Sequence, residues 1–437
     1  MTGPQGAISP RRRREVLAAL RRGTVPAHGL DQLAVGLDKF ATECGAELDA
    51  VGSGGAVFKA VRGDYGAGKT FFARWLADTA RKKGFASTEV QINEIDTPLH
   101  RLETVYRRMI ESLRTDTLPP SALRPIVDSW LFTVESDAAD EHGEVSDEAV
   151  EALLEQRLSE VAARAPVFPM AIRTYRKLVA AEDNEAADGL IAWLGGQPHV
   201  AANVKRLAGV KGDLDHYLAF GFLKGLLAIL RDSGHSGLLL VLDEVETLQR
   251  VRSDARAKAL NALRQLMDEV HDGSFPGLYL LITGTPAFFE GRQGIQLLPP
   301  LADRLHADFS RDPRFDNPRA PQLRLSGFDL DKLVELGTRV RALFTADVED
   351  AERIRRTADD EFLRAFASSV AGGLGGKVGT APRLFLRKLV DVLDTIELHP
   401  DFDPRTDYDV TITPAELNDA EREAAATRSA DDIDLDV

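Results

Sequence analysis

One cysteine, Cys44, is the whole thiol content of this 437-residue sequence, so an intrachain disulfide and a cysteine-based zinc site are both excluded. Nine histidines are scattered without an HExxH spacing, and they read as surface or turn residues. No uninterrupted apolar run reaches the roughly 18–20 residues that a membrane-spanning helix needs. Residues 1–5 do not open a positive and then apolar secretion signal. The expectation is a cytoplasmic protein with no membrane partner. Positive charge is also scarce: 54 lysines and arginines stand against 69 aspartates and glutamates, for a formal net charge of −15. That balance argues against a surface that wraps nucleic acid over its whole extent, but it leaves room for a local basic face.

What is present is ordinary for a globular chain, with 44% hydrophobic and 28% charged residues, and the length predicts two or three domains. The charge is uneven. Arginines at 11–14, 21 and 22 make a basic start, whereas residues 416–437 hold eight acids against two arginines. Ser9 and Pro10 open a short amphipathic helix with Val16, Leu17 and Leu20 on one side, and Gly23 closes it. Residues 29–45 give a second candidate helix through Leu30, Leu33, Leu37 and Phe40.

An apolar run at 56–61, a glycine loop, a helix from Thr70 and a strand at 88–92 then form a β-loop-α-β unit, the framework of a mostly parallel sheet. The stretch from Asn93 to Gly237 carries apolar residues at helical rather than strand spacing, and it far exceeds what a crossover between neighbouring strands requires. It is expected to be an inserted helical region with an acidic, exposed middle at 137–148. Apolar strands resume at 237–242 and 277–282, with a last edge strand at 323–325, and helical segments follow at 328–344, 359–369 and 381–393. The chain therefore divides into an N-terminal helical extension (1–50), a nucleotide-binding core (51–325) with the insertion at about 94–237, a helical lid (326–410) and an acidic tail (411–437).

The stretch GDYGAGKT at 63–70 fits the pattern G-x-x-x-x-G-K-S/T in full. Gly63, Gly66 and Gly68 let the backbone curl so that consecutive N–H groups point at an anion, and the following helix adds its N-terminal dipole. Lys69 is placed to span the outer phosphates of ATP, and the Thr70 hydroxyl to ligate magnesium. The run LLLVLDE at 238–244 is the second half of such a site. Asp243 should help hold Mg2+, and Glu244 should orient the attacking water. Glu246 is either a surface or salt-bridging acid or a support behind these two.

Thr283 ends the next apolar strand, where it can reach the γ-phosphate or the water. Arg304, with Arg292 as competitor, is a candidate to supply positive charge, Arg304 by reaching into a neighbouring subunit of a homo-oligomer. Arg383 opens a lid helix and can sense the nucleotide, with Arg387 one turn on as the alternative. The glycine-rich stretch at 372–377 lacks a hydroxyl residue after its lysine and reads as a hinge or substrate loop, not a second phosphate loop.

Five stretches in this order give the sequence a family resemblance: 11–38 with RRGTVP at 21–26, the loop at 62–72, LVLDEVETL at 240–248, LITGTPAFF at 281–289 and TAPRLFLRKL at 380–389. Together they resemble the BrxD family of ATP-binding proteins of bacteriophage-exclusion (BREX) defence systems. LDEVETL is also similar to AAA+ proteins that load or remodel complexes on DNA. The resemblance implies an α/β P-loop NTPase of AAA+-like type, with ATP and Mg2+ as cofactors. It also implies other BREX proteins as partners, a DNA-engaging AAA+ protein among them, and an ATP state that gates assembly or transfer of a complex on DNA. The basic helix at 11–22 leaves direct DNA contact open. A nucleotide-dependent interaction protein with little turnover is the rival expectation. A kinase with an acceptor in the insertion is a third, which the acidic pair at 243–244 disfavours.

Overall fold

A computed structural model describes residues 8–139, 145–373, 382–417 and 422. Five apolar runs pair into one parallel sheet: β1 (Val57–Arg62), β2 (Ala86–Gln91), β3 (Leu238–Asp243), β4 (Leu278–Gly284) and β5 (Gln322–Arg324), in spatial order β2-β3-β4-β1-β5. β3 shows why its sequence does not alternate. Leu238, Leu240 and Leu242 join the apolar cluster on one face of the sheet, while Leu239 and Val241 join the cluster on the other. A parallel strand covered on both faces buries every side chain.

The register matters more than the strand count. Gln91 pairs with Asp243, Leu242 with Ile282, and Arg62 with Gly284, so the C-terminal ends of four strands finish level with one another. Side chains at those ends are brought to one edge, where an open α/β sheet places its ligands.

Between β2 and β3, eight helices are described within residues 102–232, and they cover one face of the sheet. The last, His216–Asp232, approaches its neighbours closely. Phe222 makes edge contacts with Tyr106, Phe168 and Trp193 at ring-centroid distances of 5.9, 5.1 and 5.4 Å. The opposite face is covered by the helices Asp38–Gly52 and Lys69–Lys82. Cys44 lies buried there, and its burial pushes the thiol up to about 12, so it stays protonated. After β5, the helices Leu330–Phe344, Ala351–Thr357, Asp360–Gly373 and Pro382–Leu398 build a third apolar cluster. The expected α/β architecture is observed: a parallel sheet with the glycine loop after β1, a helical insertion and a C-terminal helical lid.

Two local readings change. The helix expected at 29–45 is a 3-10 turn, Leu30–Leu33, followed by the helix Asp38–Gly52. Gly36 interrupts them with a φ of 73°, a left-handed conformation that no α-helix continues through. The N-terminal helix, Pro10–Arg21, packs on the lid: Val16, Leu17 and Leu20 join the lid cluster, Arg13 pairs with Asp347 at 2.6 Å, and Arg21 holds Asp394 through two bonds of 2.6 Å. Of the acidic middle of the insertion expected to be exposed, residues 140–144 lie outside the described residues, as do most of the glycine stretch and everything after Leu417 except Arg422.

Gly225, on the helix His216–Asp232, has no room for a side chain, since an added methyl would meet Cε1 of Phe168 at 2.5 Å. Phe168 is itself locked in the aromatic cluster. Gly225→Ala is expected to destabilise the fold by about 1–3 kcal/mol through overpacking, read as a lowered thermal midpoint; an unchanged midpoint would show that the insertion repacks freely.

Candidate nucleotide site

β1 delivers the chain to Gly63, whose N–H donates to the Gly284 carbonyl at 3.2 Å and so anchors the loop to β4. Gly66 and Gly68 have φ values of 81° and 92°, which a side chain would strain. They turn the backbone so that the helix Lys69–Lys82 begins at the lysine of the motif. Lys69 is buried, and its ammonium donates to the carbonyls of Gly63 at 2.9 Å and Asp64 at 3.3 Å. It also lies 5.1 Å from the ring centre of Tyr65. The loop's own carbonyls thus stand where phosphate oxygens would.

Asp243 collects donors from three elements. Thr70 Oγ1 donates to its Oδ2 at 2.9 Å, and the Thr283 hydroxyl and the Glu244 N–H, the latter at 3.1 Å, donate to its Oδ1. Glu244 adopts φ 61° and ψ 42°, left-handed values rare outside glycine. Its N–H is held a second time by Thr283 Oγ1 at 3.2 Å. Strain of this kind persists only where the surroundings enforce it, and it concentrates at functional sites. Beyond the strand end, the Glu244 carboxylate accepts from Gln91 Nε2 at 2.9 Å, a contact made possible by the pairing of Gln91 with Asp243.

The loop opens on a cavity of about 540 Å3, within the size range of small-molecule sites. Gly66, Gly68, Lys69, Thr70, Glu244 and Glu246 form its polar floor. Val25, Pro26, Leu33 and Val35 from the N-terminal segment face Leu336 and Leu386 of the lid across its apolar upper part. A polar floor for phosphates beneath an apolar slot for a base matches the two halves of a nucleotide. The Thr70 hydroxyl and Asp243 carboxylate supply two hard oxygen donors beside the loop. That small set suits a magnesium ion, which takes its other ligands from phosphate and water.

The other expected residues divide. Thr283 is fully buried and does not line the cavity, so its hydroxyl acts on Asp243 and on the Glu244 backbone rather than on a phosphate. Arg383 lines the cavity and donates to the Glu416 carbonyl at 2.5 Å, while Arg387 is half-buried outside it. Arg304 is not brought to the cavity: it ends the helix Pro299–Arg304 and is ion-paired with Asp268. Arg292 is exposed on a turn, also away from the lining.

Two contributors, Gln91 and Arg250, escape a sequence reading, and for a third, Glu246, the structure favours the supporting role over the surface one. Gln91 is visible only through register. Arg250, at the end of the 3-10 turn Val245–Gln249, lines the cavity together with Tyr65. Glu246 is 5% exposed and 3.8 Å from the Lys69 ammonium; burial pushes its carboxyl above the usual carboxylate range, and Lys69 opposes the shift.

Thr283→Val leaves a buried carboxylate oxygen short of one donor, and it should lower stability by about 1–3 kcal/mol and loosen Glu244. Thr283→Ser, which keeps the hydroxyl, should restore both the melting point and the nucleotide-induced rise in it. Equal behaviour of the two variants would remove Thr283 from the site.

A search of curated proteins finds no match to this sequence. Among solved structures, the Aeropyrum pernix ORC2 protein (ADPNP-ADP complexes) is similar at 14% sequence identity and a TM-score of 0.36, covering 83% of this chain and 68% of that one. The family described as BREX system ATP-binding protein BrxC/D matches residues 8–412, from the N-terminal helix through the loop, the acidic pair and the lid. With nearly its whole length matched, the chain belongs to the BrxC/D family of BREX ATP-binding proteins.

Proposed function

We propose that this member of the family binds ATP and hydrolyses it with magnesium, and that the cycle drives or regulates a DNA-associated protein complex in BREX defence. The observation that carries hydrolysis is the linkage of Thr70 and Glu244, on the cavity floor, through the buried Asp243 and Thr283 beneath it. A passive nucleotide holder needs the loop; it has no need of a strained glutamate fixed beside it.

In this reading the loop amides and Lys69 hold the phosphates, with Lys69 giving up the carbonyls of Gly63 and Asp64 to reach them. Magnesium, when bound by Thr70 and Asp243, would spread the negative charge of the outer phosphates. Glu244 releases Gln91, orients a water and takes its proton as the water oxygen bonds to the γ-phosphorus. The bond from that phosphorus to the bridging oxygen breaks, and ADP departs with the electron pair. Arg304, turned from its own cavity, would act only on a neighbouring subunit's site.

Residues 51–325 serve in this proposal as the ATPase core with 94–237 as insertion, 326–410 as lid, 1–50 as the link between them, and 411–437 as an acidic tail. Partners are other BREX proteins, including a DNA-engaging AAA+ protein. No helix among the described residues is long and apolar enough to cross a membrane. Direct DNA contact through the basic helix is weakened by its ion pairs, since Arg11, Arg13 and Arg21 are engaged by Glu15, Asp347 and Asp394. The alternative is a nucleotide-dependent scaffold with little intrinsic turnover, and the hold of Gln91 on Glu244 is the observation that favours it.

Steady-state phosphate release, with and without DNA and partner proteins, separates the two readings. Glu244→Gln should lower turnover by about a hundredfold or more while leaving ATP binding intact, and Gln91→Ala should raise the basal rate several-fold. Turnover indifferent to Glu244 would end its assignment. Replacing Arg11, Arg12 and Arg14 by alanine should weaken DNA or partner binding and flatten its salt dependence; binding unchanged across a salt series would leave the helix a lid-packing element alone.

A further inference from the structure

Glu246 is an acid that the hydrolytic scheme does not use. Its side chain is 5% exposed, it lines the cavity floor, and among the described residues neither of its carboxylate oxygens has a hydrogen-bond donor. The contrast with the neighbouring acids is informative. Asp243 is filled by hydroxyl and N–H donors, and Glu244 is held by Gln91. Glu246 has the Lys69 ammonium at 3.8 Å, close enough for attraction and too far for a hydrogen bond. A buried carboxylate without donors depends on its counter-charge, and here that counter-charge is the same lysine the phosphate loop offers to a nucleotide.

We propose that Glu246 is a positioning residue that competes with the β- and γ-phosphates for Lys69 and thereby keeps the site's affinity for polyphosphates submaximal. The proposal rests on the reading of the cavity as a nucleotide site. When Lys69 swings from its resting place to a phosphate, Glu246 loses its compensation, and an incoming anion meets an unscreened negative charge in a site sheltered from water. Both effects oppose binding of the phosphate chain, and both ease release of ADP after turnover. Neither touches the base or the ribose. The acid therefore acts through Lys69, and its influence is confined to ligands long enough to engage that lysine.

The sign of the effect separates this role from a structural one, because damage to the floor of the cavity weakens binding. Calorimetric titration of the full chain with ADP and with AMP tests it. Glu246→Gln, which keeps the shape and removes the charge, should bind ADP about five- to tenfold more tightly and AMP with unchanged affinity. In a Lys69→Met background the share of the gain that comes from competition for the lysine is lost, so the gain should shrink to what direct repulsion contributes. Should Glu246→Gln not fold, Glu246→Asp draws the charge back from Lys69 and should give a smaller gain of the same sign. Unchanged or weaker ADP binding in a folded variant, or equal tightening for AMP, overturns the proposal. A wild-type protein that binds neither nucleotide would instead overturn the nucleotide-site reading, and absent phosphate release would bear on hydrolysis alone.

Discussion

The carboxylate of Asp243 is buried at the end of β3 and must be supplied with donors where it lies, because a desolvated carboxylate left short of them is costly. Its donors come from the first turn of the phosphate-loop helix, from the end of β4 and from the backbone of the following residue. The requirement propagates outward. Thr70 is in reach only if the glycine loop returns the chain above β3, and Thr283 only if β4 ends level with it. Glu244 can donate only by taking a left-handed backbone that aims it at the strand edge. One satisfied carboxylate thus holds the glycine loop, the Thr70 hydroxyl and the proposed water-orienting acid in a single geometry.

The cavity above that floor is closed by the two ends of the chain. Residues before β1 contribute Val25, Pro26, Leu33 and Val35, and the lid contributes Leu336, Leu386 and Arg383. These walls are not independent, since the N-terminal helix shares the lid's apolar cluster and is pinned to it at Asp347 and Asp394. Residues 411–417 return to the same lid: Thr411 accepts from Lys388 at 2.7 Å, and Glu416 pairs with Lys388 at 2.8 Å. A ligand in the slot touches elements nearly the whole chain apart in sequence. Two of the five arginines of the helix Pro10–Arg21, Arg13 and Arg21, are used in this assembly.

The phosphate loop and the acidic pair were legible because their chemistry is local. A run of glycines before a lysine has few other uses, and an apolar strand that ends in two acids announces where its carboxylates emerge. Arg304 was expected to serve a neighbouring subunit's site, and within one chain it lies away from the cavity, paired with Asp268. Thr283 sat at the right strand end, yet its hydroxyl faces Asp243 and the Glu244 backbone rather than the cavity. The helix expected at 29–45 failed at Gly36, where apolar spacing continues but the backbone does not.

By itself the sequence determined the kind of site this protein has: the glycine loop, the lysine, the threonine and the acidic strand end belong to chain segments whose local conformation their own residues dictate. Only the tertiary structure decided which side chains surround them. Gln91 meets Glu244 through strand register, Glu246 meets Lys69 through the turn of a 3-10 helix, and Arg250 lines the cavity together with Tyr65. Such pairings depend on how separate segments pack against one another, and spacing along the chain carries no record of that.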